Sequence, residues 1–355
     1  VKPKQSIFAC RARNLLRGWA LIGLLSGCAV AAPPLSTTSA QLSPPSPQAF
    51  SFALLGDAPY GPKQVPVFER LIEQVNADQA IRFSIHVGDI KGSGESCGDE
   101  FLSARRALFQ RFHDALILTP GDNDWTDCHR AAAGRFNPVE RLGALRRIFY
   151  ADPRRTLGQA PMTVEPQSAH AGFEPFVENA LFERNGIVFA TIHVVGSGNN
   201  LDPWSGIDSA DSVARPRADR RAEFESRQAA ALHWLDLAFD RAEQSRAAGL
   251  FLVIHAYPFF DLPATDTKRA GFNAFVARLQ QRAAAFARPV VLAHGDFHNF
   301  TIDQPFDLEH SDPRAPLFTR VQVFGSPNVH WLRLTADPAR REVFQFEVRH
   351  VGAVR

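Results

Sequence analysis

The chain has 355 residues, 45% hydrophobic and 21% charged, which is ordinary for a globular protein and long enough to bury a core without staples. Its formal charge of +2 hides an asymmetry: residues 1–27 carry Lys2, Lys4, Arg11, Arg13 and Arg17 with no acid, and removing that +5 leaves the remainder at −3. A slightly acidic body excludes a polyanion-wrapping surface, so no nucleic-acid partner is expected.

Behind the basic residues 1–17, the run Trp19 to Leu25 has the length of a signal-peptide core and is too short to span a membrane. It ends in Leu25-Ser26-Gly27-Cys28, which resembles a bacterial lipobox. The resemblance implies a signal peptide over 1–27, cleavage before Cys28, and lipidation of Cys28 as the contact with a membrane. The alternative is an ordinary secretory signal cut near Ala31-Ala32. Ala29 resembles the pattern that permits sorting to an outer membrane, so the expected location is the bacterial cell envelope, facing the periplasm where a second membrane exists. Residues 28–49 hold Pro33, Pro34, Pro44, Pro45 and Pro47 among small polar residues and read as an extended tether. The folded body is expected over 50–355, with no transmembrane helix and no internal repeat.

In the body, Ser51 to Leu55 is a short apolar strand stopped by Gly56-Asp57. Ala58 to Gly61 reads as a turn and Pro66 to Asn76 as a helix. A second strand, Ile81 to Val87, stops on Gly88-Asp89, and a loop containing Lys91 and Cys97 leads to a helix over 101–112. A third strand, Ala115 to Thr119, runs into Gly121-Asp122-Asn123-Asp124, followed by Cys128 and a helix over 137–150. If the body is exported, Cys97 and Cys128 are expected to pair. A hairpin turns at Asn185-Gly186, Gly196 to Ala214 is a polar loop, and 217–246 is a long charged helix with a solvated outer face. Leu250 to Ile254 is a fourth strand ending on His255, and Pro289 to Ala293 a fifth, ending on His294-Gly-Asp-Phe-His298. Strands at 318–324, 329–334 and 343–348 read as a closing antiparallel run.

One acidic residue after a strand is usually a turn or a helix cap. Asp57, Asp89, Asp122, His255 and Asp296/His298 all following apolar strands is a different pattern. In open α/β sheets such strand ends meet at the ligand site. Carboxylates gathered there repel and resist desolvation, and divalent cations relieve both costs. Mixed Asp and His donors suit manganese, iron or zinc better than calcium.

In this order, Gly-Asp, Gly-Asp, Gly-Asp-Asn-Asp, His and Gly-Asp-Phe-His resemble the calcineurin-like metallophosphoesterases. That family's pattern is Asp-x-His, Gly-Asp, Gly-Asn-His-(Asp/Glu), His, Gly-His-x-His, and the likeness covers roughly residues 50–305. It implies a four-layer αββα sandwich and two divalent metal ions (manganese, iron, zinc or magnesium). It also implies an enzyme that hydrolyses a phosphate mono- or diester with a metal-activated hydroxide, acting on a phosphorylated small molecule or a nucleotide-like substrate. Carried across, Asp57 is a ligand of the first metal, Asp89 the bridging carboxylate, Asp122 and His255 ligands of the second, and His298 a ligand of the first. Asp296 stands in for a histidine ligand, and Asn123 for the histidine that contacts the phosphate. Asparagine can donate to a phosphate oxygen but cannot protonate a leaving group. Asp124 keeps the acidic fourth position; a one-residue slip would instead set Asn123 on the family asparagine and Asp124 on its histidine. Pro59 occupies the place of the first histidine, leaving Tyr60, His294 or water to replace it. Asn123, Asp124 and His294 are therefore the candidates for work beyond metal binding.

Among other residues, His86 reads as an interior histidine and Lys91 as a loop lysine with a possible phosphate contact. Asp127 and His129 are possible acids, and Gly196 to Asn200 and Trp204 possible borders of the pocket. Two other functions fit the same residues: a non-catalytic, metal-dependent binding protein on this fold, and a dimetal hydrolase of bonds other than phosphoesters, such as an amidase.

Overall fold

The computed structural model describes residues 44–306 and 317–352. The segments expected to be a signal peptide and, for the most part, a tether lie outside these residues, as does Cys28. The first described segment is already fastened to the body ahead of Phe50: Ser46 donates from its amide and hydroxyl to Asp337 at 2.9 and 2.5 Å.

Alternation within the strands builds the layers. In β1 (Phe50–Leu55), Phe52 and Leu54 face one way and Ala53 and Leu55 the other, and all are buried. The first face meets the opposite sheet; the second is covered by α1 (Gly61–Ala77), α2 (Asp99–Phe109) and α3 (Pro138–Phe149). Strands buried on both faces read as continuous apolar runs, which is why these stood out in the sequence. β1, β2 (Ile81–His86) and β3 (Ala115–Leu118) run parallel.

The second sheet begins with β4 (Glu165–Pro166), β5 (Ala180–Arg184) and β6 (Ile187–Thr191). Asn185 and Gly186, with φ of 47° and 74°, make the tight left-handed turn between β5 and β6. A short turn, α4 (Gly196–Asn200), precedes α5 (Ala218–Gln244), β7 (Gly249–Val253), α6 (Asn273–Phe286), β8 (Val290–His294) and β9 (Thr301–Asp303). β10 (Phe318–Gln322) completes this sheet, whose order is β4-β5-β6-β7-β8-β10-β9. β11 (Trp331–Ala336) and β12 (Phe344–Arg349) return to the first, ordered β12-β11-β1-β2-β3.

The two sheets pack face to face through aromatics: Phe52 stacks on Phe83 at 5.0 Å and meets Phe189 and Phe251 of the other sheet edge-on at 5.4 and 5.1 Å. α5 and α6 cover the far face through Trp234, Leu235, Phe239, Phe275 and Leu279. Helix, sheet, sheet and helix are the four layers expected from the sequence.

Three readings change. The closing strands are not one antiparallel run: β10 pairs parallel with β8, and the chain then crosses through Ser326-Pro327-Asn328 to pair β11 antiparallel with β1. α1 starts at Gly61 rather than Pro66, because a proline this near the start forfeits only the bond to the Pro62 carbonyl. α5 is not simply a solvated face, since Arg220 and Arg227 are buried against the connection that precedes it.

Candidate metal centre

The parallel strands of both sheets deliver their carboxyl ends to one place. Asp57 follows β1, Asp89 β2, Asp122 β3, His255 β7 and His298 β8. They form two sets of donors, Asp57/Asp89/His298 and Asp89/Asp122/His255, each with ligand atoms within 4.8 Å of one another. Asp89 belongs to both.

The backbone is bent to achieve this. Asp57, Asp89, Asp296 and His298 have φ of 50°, 54°, 77° and 61°. Left-handed conformations are tolerated best by Asp and Asn among residues with a Cβ, and they gather at functional sites. Gly121 lies so close to Asp89 that a Cβ there would stand 2.1 Å from Asp89 Oδ1.

Both histidines are oriented from behind. His255 Nδ1 is 3.0 Å from the Val87 carbonyl, and His298 Nδ1 is 2.8 Å from the Ser326 carbonyl. Each ring therefore donates from Nδ1 and turns Nε2 inward, the arrangement that prepares an imidazole to bind a metal. His255 Nε2 lies 3.2 Å from Asp122 Oδ1 and 3.3 Å from Asp89 Oδ1; His298 Nε2 lies 3.3 Å from Asp57 Oδ1.

The charges of the donor set show whether it suits cations. Burial disfavours the imidazolium of His255, but Asp89, Asp122 and Asp57 outweigh it and hold the ring protonated well above its ordinary range. Asp122 is also buried, yet the His255 hydrogen bond brings it down to about 2. A proton on His255 thus stands between two carboxylates where a divalent ion fits. Asp57 Oδ2 is buried with no hydrogen-bond partner, which fits a carboxylate oxygen free to bind a cation. Oxygen and imidazole donors without thiolate suit manganese, iron, zinc or magnesium.

Around this core, Asn123 donates from its amide nitrogen to Asp89 Oδ2, beside the cluster as expected. Tyr60 also reaches it, its hydroxyl donating to Asp89 Oδ2 at 2.7 Å and lying 3.3 Å from His298 Nε2. Of the three substitutes for the histidine missing at Pro59, this is the side chain the fold brings in.

Three candidates stand differently from their sequence reading. Asp124 is one step behind the cluster: its oxygens accept from the amides of Asp89, Ile90 and Gly121 at 3.1, 2.9 and 2.7 Å, so it joins the second and third strand ends. His294 belongs to neither donor set. Val290, Leu292 and then His294 alternate onto the helix-covered face of β8, and the ring lies 5.7 Å from that of Tyr257. Strand alternation does not continue into Asp296 and His298, whose left-handed backbone re-aims them. Asp296 stands next to the cluster without joining either set: its amide donates to Asp57 Oδ1 at 2.9 Å, and its Oδ2 accepts from Tyr257 at 3.0 Å. Burial, then Asp122, push its carboxyl up to about 7.

Elsewhere, His86 is an interior ring: Nδ1 accepts from the Gly88 amide at 3.2 Å, so Nε2 donates to the Ala58 carbonyl at 3.0 Å. Lys91 is no solvated loop lysine but buried, with Nζ on the Gly92 carbonyl at 3.1 Å. His129 accepts from the Gly206 amide at 3.1 Å, and Trp204 is buried with its indole on Asn200. Cys97 and Cys128 are disulfide-bonded, Cα atoms 5.8 Å apart, bracing the loops after β2 and β3. Within Gly196 to Asn200, read from sequence only as a border of the pocket, it is Ser197 whose hydroxyl touches Asp122.

No protein-family model matches the sequence, and no curated protein does. Among solved structures, the chain is similar to GAP50, titled the anchor in the inner membrane complex of Plasmodium, at 11% identity, with 86% of this chain and 89% of that one covered and a TM-score of 0.45. It is similar to PhoD at 12% identity, 82% and 64% coverage and a TM-score of 0.47. For the Haemophilus influenzae NAD nucleotidase NadN the values are 14%, 85% and 49%, and 0.41. The chain thus spans about two thirds of PhoD and half of NadN. Likenesses this distant carry no chemistry across; this chain's own layers and strand ends agree with its metallophosphoesterase resemblance.

Proposed function

We propose that this chain is a dimetal-dependent phosphoesterase that hydrolyses a phosphate mono- or diester of a small molecule. The observation that carries the reading is the pair of donor sets sharing Asp89, with both histidine Nε2 atoms aimed inward. Asp57, Asp89 and His298 would hold one cation and Asp89, Asp122 and His255 the other. When bound, such a pair lowers the pKa of water and offsets charge on a transferring phosphoryl group. The chain's own part is to fix the donors, through the carbonyls of Val87 and Ser326 and the Asp124 clamp. The Asn123 amide then donates to a phosphate oxygen. With no titratable group at Asn123, substrates whose leaving group departs without a proton are favoured.

We further infer export. No helix among the described residues is long and apolar enough to cross a membrane, and a buried disulfide persists in an oxidising compartment. Attachment through Cys28 completes this reading.

The test is metal content of the purified protein together with hydrolysis of an aryl phosphate and of nucleotides with added Mn²⁺. Two equivalents bound and turnover are expected; no metal and no turnover would sink the proposal. A second reading, metal-dependent binding without catalysis, is favoured by Asn123 and Tyr60 both donating to Asp89, which commits these two side chains to steadying a ligand rather than to serving a leaving group. Metal bound without turnover of any phosphoester selects it.

A further inference from the structure

After β6 the chain enters an expensive conformation. Ser197, Gly198 and Asn199 have φ/ψ of 48°/48°, 64°/28° and 58°/43°, and Asn200 has φ 67°. Each residue with a Cβ in such a run meets a steric penalty against its own carbonyl, so left-handed residues normally occur singly. A run of them persists only when its surroundings over-determine it.

Here they do. Arg227 of α5 is buried and donates to Asn199 Oδ1 at 2.5 Å, to the Asn199 carbonyl at 3.0 Å and to the His193 carbonyl at 3.3 Å. Asn199 donates in turn to the Gly271 carbonyl at 2.9 Å. Asn200 donates to Glu223 at 2.6 Å and accepts from the Trp204 indole at 2.9 Å. A plain connection between β6 and α5 needs none of this.

What the clamp holds in place is Ser197. Its hydroxyl lies 2.9 Å from Asp122 Oδ2 and 2.8 Å from Asp127 Oδ1. The other oxygen of Asp122, Oδ1, faces His255 Nε2 at 3.2 Å. Gly196 closes the same side so tightly that a Cβ there would stand 2.6 Å from Asp122 Oδ2. A free carboxylate can rotate and chelate through both oxygens. This one has one oxygen on the cluster and the other capped.

We propose that Ser197 is a positioning residue of the metal centre: held by the left-handed turn, its hydroxyl restricts Asp122 to binding a cation through Oδ1 alone. Asp122 then offers a single oxygen, as an asparagine side chain would at the same place. The inference rests on the two-cation reading above.

The test is calorimetric titration with Mn²⁺ alone, together with thermal melting of the metal-free protein, for wild type, Ser197→Gly and Ser197→Ala. Both variants remove the hydroxyl, but glycine also relieves the left-handed backbone. One of the two Mn²⁺ equivalents is expected to bind about tenfold more weakly in both variants, the usual size for losing a partner behind a ligand, with the other unchanged. Metal-free Ser197→Gly is expected to melt no lower than wild type. Stability kept while one metal loosens is a pattern that a merely structural serine cannot give. Unchanged affinity for both equivalents in both variants overturns the inference. So does an equal loss of both equivalents with a lowered melting point, which marks a damaged fold. Wild type binding no Mn²⁺ removes the two-cation reading itself, and is told apart because it appears before any substitution.

Discussion

The Asp57/His298 half of the centre and the Asp122/His255 half share Asp89 but meet solvent differently. His255 is fully buried, while the His298 side chain is 26% exposed. Both oxygens of Asp122 are engaged, whereas Asp57 Oδ2 has no partner. The closed half is built to keep a fixed geometry, with a proton on His255 balancing its carboxylates. The open half carries an unpartnered carboxylate oxygen, itself buried, and reaches solvent through His298 rather than through Asp57. Preorganisation is concentrated in one donor set, and adaptability is left to the other.

Removing what the halves share should have the largest effect. Asp89→Asn keeps the shape and removes the common charge. Both Mn²⁺ equivalents should weaken, and kcat on an aryl phosphate should fall by on the order of 10²–10³ or more, the size of losing one well-placed electrostatic group. Metal analysis beside kinetics checks this. A variant that keeps two tight equivalents would show that Asp89 does not bridge.

The halves should separate next. In the metal-free protein, His255→Ala strands Asp89 and Asp122 without their buried counter-charge, a loss of about 3–5 kcal/mol. His298→Ala exposes its site to water and should cost far less. Chemical denaturation of the two metal-free variants measures the gap; equal losses would erase the distinction between closed and open halves.

Protons give the same contrast. The folded pKa of His255 is raised, so its contribution to metal-free stability is fully present below about pH 6.5 and is lost as pH rises through the folded value. Asp127 and Asp296, both pushed up to about 7 by burial and then by Asp122, act in the same sense at lower pH. Their stabilisation is complete below the ordinary carboxylate range and fades up to about pH 7. Asp122, lowered to about 2, opposes them only in acid, where its stabilisation is lost as pH falls. His86, His129 and His294, lowered mainly by burial, act in the opposite sense and cost stability as pH falls below the ordinary histidine range. The contrast is therefore read against His255→Ala: in metal-free protein that substitution should lower the melting temperature more near pH 5.5 than near pH 8.5 (about three pH units apart). Added Mn²⁺ should stabilise wild type more at the higher pH, because the ligands must shed protons to bind. A His255→Ala loss that grows with pH would contradict the assignment of the buried proton.

How much of this was legible before folding follows from what a strand end does to a chain. Asp57, Asp89, Asp122, His255 and His298 announce themselves because each interrupts an apolar run, and burial on both faces makes those runs unmistakable. His294 and Asp296 were harder. Alternation is a rule for extended backbone, and Gly295 ends it, after which φ of 77° at Asp296 and 61° at His298 decide where side chains point. Asp124 reads as one more acid in sequence, but only the folded loops show its oxygens committed to three amides. Ser197 carries no local signal of its partner, because Asp122 comes from the other sheet and Arg227 from the next helix. The destination of β10 was equally hidden, since its own pattern does not say which sheet receives it.

The smallest expected effect bears on the open half. Tyr60 is held neutral, its pKa raised well above the ordinary value by burial and then by Asp89 and Asp57. A neutral phenol beside carboxylates is a hydrogen-bond donor, and its bond to Asp89 Oδ2 at 2.7 Å has the form worth roughly 1.5–3 kcal/mol to a charged acceptor. Its ring also packs edge-on against His298 at 5.3 Å, a contact that phenylalanine retains. Tyr60→Phe should therefore keep two Mn²⁺ equivalents and lower kcat by about tenfold or less, since part of that bond is regained by solvent at the open half. Calorimetry on the equivalent that His298→Ala also weakens decides the matter. Affinity within about tenfold of wild type means that water completes the first cation's shell and Tyr60 only steadies Asp89, as a partner behind a ligand does. Loss of that equivalent alone means that the phenol oxygen itself takes the place left by the histidine missing at Pro59, and the open half would then be as fully protein-ligated as the closed one.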